Sequence, residues 1–152
     1  MFVRKYAAIA VRDIVKHSEA LSSVAAASGA GGALVEYVLN ARGNAALPGI
    51  TALGFIGSFS ESLSMGLIQA QAVPALKRAL LEEAEDHIRA AAAWALGQLG
   101  RHSAQHARPL GEADVLRHLL NTMMHEESSD GAWPRRRGAG VGGGWFVMVG
   151  GW

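Results

Sequence analysis

Apolar residues recur along this chain at helical spacing, and the same pattern returns after about 42 residues. Segments 7–21, 49–63 and 91–106 align with one another. Two sets of apolar positions coincide in that alignment: Val11, Leu53 and Leu96, and, three residues later, Ile14, Ile56 and Leu99. Residues three or four positions apart share one face of a helix, so each segment predicts an amphipathic helix.

A second block of the sequence repeats with the same step. Residues 29–34 align with residues 71–76, a shift of 42 positions. The apolar pairs that follow also match: Val38-Leu39, Leu80-Leu81 and Met123-Met124. Two separate blocks that share one period indicate internal repeats, and a period of about 40–47 residues is typical of HEAT and armadillo repeats.

Each repeat is predicted to contain a short, a medium and a long helix. Ser18, Ser60 and Ser103 precede the short helices, and serine is a good N-cap because its hydroxyl accepts a backbone N–H. Gly29 breaks the chain before a medium helix, and Pro74 fits the first turn of another. The predicted bounds are 4–17, 45–58 and 87–101 for the long helices, 32–40, 73–83 and 115–124 for the medium ones, and 19–28, 61–70 and 104–112 for the short ones.

The fold class that follows is all-α: an armadillo-type, right-handed superhelical solenoid of about three repeats over residues 1–127. A single repeat cannot bury its own apolar face, so neighbours must stack, and stability is a sum of nearest-neighbour terms. The sequence begins with a long helix and its repeats stop at a medium one, with no evident polar cap at either end. We therefore expect a piece of a longer array whose two ends expose apolar side chains.

Residues 128–152 depart from the repeat pattern and are rich in glycine. Dense glycine makes ordering costly in chain entropy, so this tail is predicted to be disordered. Two explanations of the tail stay open. The favoured one is an artefact of the gene model or of splicing. The other is a genuine tail that anchors the chain through its aromatic residues and through Arg135, Arg136 and Arg137.

Composition narrows the classes of partner. The formal net charge is +1, which predicts neither nucleic acid nor an acidic membrane as the partner. The chain has no cysteine, which excludes disulfides and thiolate metal sites. It shows no secretory signal and no apolar run of about 18 residues, so we expect a soluble cytoplasmic protein. The acidic run of Glu82, Glu83, Glu85 and Asp86 is interpreted as a solvated loop that also favours the start of the next helix.

No arrangement of residues in the sequence predicts catalysis or a cofactor. Gly138, Gly140 and Gly143 have the spacing of the dinucleotide-binding motif G-x-G-x-x-G. The sequence around them predicts neither the preceding strand nor the following helix that the motif needs. His102 and His106 have the spacing of metal ligands on a helix, but no third ligand is near, so a structural role at a helix end is favoured. We therefore expect a protein that is not an enzyme and that binds no cofactor, metal or small molecule.

Two segments carry a resemblance to a known family. Residues 85–102, EDHIRAAAAWALGQLGRH, and residues 47–50, LPGI, closely resemble the sperm-associated antigen 6 family, armadillo-repeat proteins of the ciliary central apparatus. The similarity extends over roughly residues 3–128. It implies a scaffold of the motile cilium or flagellum, located in the cytoplasm and cytoskeleton, with axonemal central-apparatus proteins and microtubules as partners. That family has further repeats on both sides of those seen here.

The long helices are expected to line a groove that contacts a partner. Importin-like proteins offer Trp and then Asn four residues later, whereas here Trp94 is followed by Gln98, and the equivalent pair is Thr51 and Phe55. This difference argues against nuclear-signal peptides, and a soluble peptide-binding adaptor for transport or signalling is the alternative function. Trp94 has a second interpretation as simple packing between repeats. The residues predicted to contact a partner are Arg12, Asp13, Thr51, Phe55, Trp94, Gln98 and Arg101.

Overall fold

A computed structural model describes residues 2–125, and this part of the chain consists of helices joined by short turns, with no strand. The predicted tail at 128–152 lies outside the described residues. The helices are α1 (Phe2–Val15), α2 (Glu19–Ala27), α3 (Ala30–Asn40), α4 (Leu47–Phe59), α5 (Glu61–Gln69), α6 (Ala72–Glu82), α7 (Asp86–Gly100), α8 (Ala104–Glu112) and α9 (Val115–His125), with a 3₁₀ turn at Gly43–Ala45. Every predicted helix is present, and each helix begins and ends within two residues of its predicted bounds.

Helices of the same kind stack into columns. The long helices form one column, in which α4 packs against α1 on one side and against α7 on the other. The medium helices α3 and α6 pack together, and the short helices α2, α5 and α8 form a third column. This stepwise stack, in place of a closed bundle, confirms the predicted solenoid.

Burial along the long column depends on the number of neighbours. Ile50, Leu53 and Ile56 of α4 are fully buried, because this helix has a long helix on each side. In α1, which has a long helix on one side only within the described residues, Ala8 and Val15 are the buried positions. The same apolar register is therefore buried in the middle of the stack and partly exposed at its edge.

The short helices begin at the predicted serines, but the serines do not all act in the same way. Ser18 Oγ accepts the backbone N–H of Leu21 at 3.3 Å, as an N-cap should. Ser60 and Ser103 occupy the same cap position without that hydrogen bond. Ser103 Oγ instead lies 2.8 Å from His106 Nδ1, within hydrogen-bond distance. The prediction is right about the position of the caps and wrong about the bonding of two of them.

The turn before each medium helix has a left-handed residue in all three repeats. These residues are Gly29, Gln71 and Asp114, with φ of 84°, 68° and 59°. Glycine adopts this conformation freely, whereas Gln71 and Asp114 do so at a steric cost. The sequence signalled a break clearly only at Gly29, because aspartate adopts this conformation only occasionally and glutamine rarely.

The acidic run before α7 is not wholly solvated, which corrects the interpretation of that segment. Glu83 is 4% exposed, and its Oε2 accepts the backbone N–H of Gly43 at 2.7 Å. Its Oε1 lies 3.9 Å from Nη1 of Arg78, whose guanidinium also donates to the Val38 carbonyl. Glu83 thus links one repeat to the previous one, because Gly43 and Val38 precede it by about one period.

Both ends of the described stack expose apolar side chains, as expected. Those at the amino-terminal end are Phe2, Val3, Tyr6, Ile14, Leu21 and Val24, and those on α9 are Leu116, Leu120, Met123 and Met124. In the middle repeat the positions equivalent to Tyr6, Ile14, Leu21, Leu116 and Met123 are buried, so these five side chains lie at surfaces that an adjoining repeat would cover.

Candidate protein-binding surface

The long helices α1, α4 and α7 bring the predicted groove residues onto three neighbouring helices. Asp13, Phe55 and Gln98 occupy one position of the repeat, and Thr51 and Trp94 occupy another, one turn earlier. Because α4 packs between α1 and α7, equivalent positions form a row across the column. The row is varied in chemistry: a carboxylate, an aromatic ring and an amide follow one another.

An aromatic pair lies at the centre of this surface. The rings of Phe55 and Trp94 meet edge to face, with centroids 5.3 Å apart and an angle of 71° between their planes. Trp94 also covers Gly54, where an added Cβ would overlap the indole ring. Both aromatic side chains are only partly buried. Trp94 therefore packs between repeats and at the same time offers exposed aromatic surface, so its two interpretations are compatible.

Thr51 does not face the surface, which differs from its predicted role. Its residue is 3% exposed, and its hydroxyl donates to the carbonyls of Leu47 at 2.9 Å and Pro48 at 3.2 Å within the same helix. The neighbouring repeat covers this position because α4 is enclosed by α1 and α7. Thr51 is therefore a core residue in this structure.

Arg12 and Asp13 form a charged pair on α1. Arg12 Nη2 lies 2.9 Å from Asp13 Oδ1, and Lys16 Nζ lies 3.2 Å from the same oxygen. Burial by itself would raise the pKa of Asp13, but the hydrogen bonds and positive charges of Arg12 and Lys16 outweigh it and lower that pKa below the ordinary value. The carboxylate is thus already partnered, which weakens it as a receptor for a basic ligand.

Gln98 and Arg101 join the end of α7 to the end of α4. Arg101 Nη1 donates to Gln98 Oε1 at 3.1 Å, and Arg101 Nη2 donates to the Ser58 carbonyl at 3.1 Å. Arg101 nevertheless remains exposed, so its guanidinium is accessible to a partner. Arg101, which directly follows α7 as its C-cap, is more accessible than the predicted contact residues Trp94 and Gln98 on that helix.

His102 and His106 have structural roles, as the sequence favoured. His102 Nε2 lies 2.7 Å from the Gly57 carbonyl, and His106 Nε2 lies 2.8 Å from the Glu61 carbonyl, both in the preceding repeat. His106 is also buried. Across residues 2–125, no group of three or more His, Asp or Glu side chains is placed to hold a metal ion.

Three groups therefore lie on the long column: the charged pair of α1, the aromatic pair of α4 and α7, and the Gln98–Arg101 pair of α7. An exposed aromatic ring with charged groups on neighbouring helices suits contact with protein side chains. The sequence missed the inter-repeat bonds of Arg78, Glu83, His102 and His106, whose partners are mostly backbone atoms about one period away.

Within the described part of the chain, none of the helices has the length and apolar character needed to cross a membrane.

Comparison with known families and proteins agrees with the repeat pattern. The PBS lyase HEAT-like repeat family matches residues 88–110, which cover most of α7 and α8. Sperm-associated antigen 6 of Mus musculus is 56% identical over 57 residues, and that of Homo sapiens is 54% identical over 57 residues. Each match covers 38% of this chain and 11% of the relative, so the aligned part is a small share of those proteins.

Solved structures show the same architecture. A designed armadillo repeat protein in complex with a (KR)4 peptide superposes with a TM-score of 0.75 and 21% identity, covering 82% of this chain and 51% of that one. An engineered protein superposes with a TM-score of 0.76 and 18% identity, covering 84% of this chain and 50% of the other. At this level of identity the likeness is one of fold. The chain thus has an armadillo-type repeat fold and, over 57 residues, is similar in sequence to sperm-associated antigen 6.

Proposed function

We propose that the chain is a non-enzymatic scaffold that binds other proteins in the central apparatus of the motile cilium or flagellum. The observation that carries this proposal is the 56% identity to a protein named as sperm-associated, over 57 residues. The repeat architecture supports the scaffold role, since solenoids of this kind present extended surfaces to partners. The proposed location is the cytoplasm and cytoskeleton, at the axoneme.

The long column is the proposed contact surface. Partly exposed aromatic and arginine side chains dominate binding at many protein interfaces, and Phe55, Trp94 and Arg101 supply them here. Arg12, Asp13 and Gln98 border this centre, and Thr51 supports it from the core. The proposed partners are axonemal central-apparatus proteins, with microtubules as a further partner, and no nucleic acid, membrane, cofactor or small molecule is proposed.

Capture from solubilised axonemes tests this function. The immobilised chain should retain central-apparatus proteins, and Arg101→Glu should reduce their recovery at least ten-fold because it reverses the charge of the exposed guanidinium. Arg108→Glu on α8 is the matched control, since Arg108 is exposed but lies outside the long column. Circular dichroism should show equal helicity for both variants. Equal recovery by the two variants would exclude the long column, and capture of no axonemal protein would refute the axonemal role.

The alternative function is a soluble peptide-binding adaptor for transport or signalling. The supporting observation is that a structural neighbour is a designed armadillo protein in complex with a (KR)4 peptide. Two observations argue against it. Asp13 is already paired with Arg12 and Lys16, and the long helices lack the Trp followed four residues later by Asn that importin-like proteins offer to peptides. Titration of a fluorescent (KR)4 peptide separates the two functions. Tight binding that Asp13→Asn weakens would favour the adaptor, and no binding would favour the scaffold.

A further inference from the structure

The amino-terminal end of the stack contains an open cavity of about 280 Å³ between α1 and α3. Its wall is mostly apolar and includes Ala7, Ala8, Val11, Ala30, Leu34 and Tyr37. One period later in the sequence, the equivalent positions are Gly49, Ile50, Leu53, Ala72, Leu76 and Ala79, and all of these are buried. The cavity wall is thus a surface that the middle repeat keeps covered.

The helix that covers this surface in the middle repeat is the medium helix α3. It packs on α4 and α6, and a Cβ added at Gly49 would come within 2.7 Å of Tyr37 and 2.8 Å of Val38. By the repeat relationship, the cavity between α1 and α3 is the place that a medium helix from a preceding unit would occupy. The chemistry required of the occupant is therefore that of an amphipathic medium helix.

The described part of the chain has such a helix with its apolar face uncovered at the opposite end. In α9, Leu116 is 60% exposed and Met123 is 81% exposed. The equivalent residues of α6, Val73 and Leu80, are each 3% exposed. The difference in burial follows from the neighbours of the two helices. Helix α6 is enclosed by α3 and α7, whereas within residues 2–125 no long helix follows α9, which packs mainly on α8.

We propose that two copies of this chain associate head to tail, with α9 of one copy seated in the cavity between α1 and α3 of the next. The short and medium helices α8 and α9 of the first copy and the long helix α1 of the second then complete one repeat. The contact joins two different surfaces, so it does not close on itself and can extend into longer stacks.

The repeat relationship fixes the register of this contact. Gly49 meets Tyr37 and Val38 inside the chain, so Ala7 of one copy should meet Thr122 and Met123 of the other. Likewise, His102 Nε2 lies 2.7 Å from the Gly57 carbonyl one repeat earlier. The equivalent residue His17 should therefore reach the Gly100 carbonyl of the neighbouring copy.

Mass measurements on variants blocked at one end test the association. The unmodified 152-residue chain should increase in mass with concentration in analytical ultracentrifugation, as mass action requires. Ala7→Glu blocks the cavity and Met123→Glu blocks α9, because each buries an unpaired charge in the contact. Each variant alone should self-associate at least ten-fold more weakly than the unmodified chain, and should therefore be monomeric at concentrations where the unmodified chain associates. An equimolar mixture of the two variants should form a one-to-one dimer through the two unblocked ends.

Gln69→Glu on the middle short helix is the matched control and should associate like the unmodified chain, since Gln69 is exposed and lies at neither end. Both blocking substitutions are at exposed positions, so helicity should be unchanged. A chain that stays monomeric at every concentration would overturn the proposal. A blocked variant that still dimerises alone would also overturn it, since it would indicate a symmetric contact of one end with itself.

Cysteine cross-linking tests the register. The chain has no cysteine, so background disulfides are absent. The double variant Ala7→Cys, Met123→Cys should form a ladder of disulfide-linked oligomers on mild oxidation. Ala7→Cys with Arg117→Cys is the control, because Arg117 and its equivalents Gly32 and Pro74 are exposed in all three repeats and fall outside the contact. Equal cross-linking of both pairs would refute the register. This contact does not use Arg101 or Trp94, so its failure would leave the proposed function untouched.

Discussion

Glu83 is a buried carboxylate in a stretch of sequence that looks solvated. Hydropathy could not reveal its role, because its partners are the Gly43 backbone N–H and the Arg78 side chain, and the first of these lies 40 residues away. Thr51 shows the opposite error. Its position in the repeat predicted an exposed residue in the groove, but the neighbouring repeats enclose it. At the scale of single residues, the sequence predicted position along a helix well and burial less well.

Replacement of Glu83 by Gln should lower the free energy of unfolding by about 1.5–3 kcal/mol, because it removes the buried charge that accepts the Gly43 backbone N–H at 2.7 Å and that faces the largely buried Arg78. Glu82→Gln is the neighbouring control. Its carboxylate is 57% exposed and lies 3.7 Å from Arg42 and 3.9 Å from Arg78, so solvent screens both pairs and the loss of its charge should cost less than about 1 kcal/mol. Urea denaturation measures both variants. Equal effects would mean that the link between Glu83 and the preceding repeat adds nothing to stability.

Asp13 should give a small pH dependence of stability. Its pKa in the folded chain is lowered, so its ion pairs stabilise the fold above the unfolded pKa, and this contribution disappears as the pH falls through the folded pKa. Because the carboxylate is 42% exposed, solvent screening keeps the effect below about 0.5 kcal/mol. Thermal unfolding of Asp13→Asn should lie slightly below that of the unmodified chain at neutral pH and should converge with it in acid. A constant difference at all pH values would contradict this assignment.

Helices were the most predictable feature of the molecule. The pattern recurs about every 42 residues, and three copies of one pattern are expected to adopt one structure, so a signal that is weak in one copy is supported by the other two. Each helix therefore begins and ends within two residues of its predicted bounds. Contacts between helices were less predictable. Trp94 resting on Gly54 depends on the close approach of α4 and α7, which no spacing within one helix can reveal.

Two glycines in the interiors of the long helices should respond in opposite ways to alanine. Gly54→Ala should destabilise the chain by about 1–3 kcal/mol, because the new methyl group overlaps the Trp94 ring. Gly97→Ala should stabilise it by about 0.5–1 kcal/mol, since its added Cβ would meet no other part of the structure within 4 Å beyond its own stretch of helix, and alanine favours a helix. Denaturant unfolding measures both. A neutral Gly54→Ala would show that Trp94 packs elsewhere.

The whole molecule should unfold from its ends. Helices α4 and α7 have neighbours on several sides, whereas α1 and α9 leave large apolar side chains exposed. Hydrogen exchange followed by mass spectrometry, at a concentration where the chain is monomeric, should show slowest exchange in α4 and α7 and fastest exchange in α1 and α9. Uniform protection along residues 2–125 would indicate a single cooperative unit and contradict nearest-neighbour stability.

The stacking in columns also has a mechanical consequence. The main contacts run from each repeat to the next, so tension applied along the stack passes through every junction in series. We therefore expect small rotations at successive junctions to lengthen the stack while each core stays intact. Under a load that exceeds the strength of one junction, the repeats should separate one unit at a time.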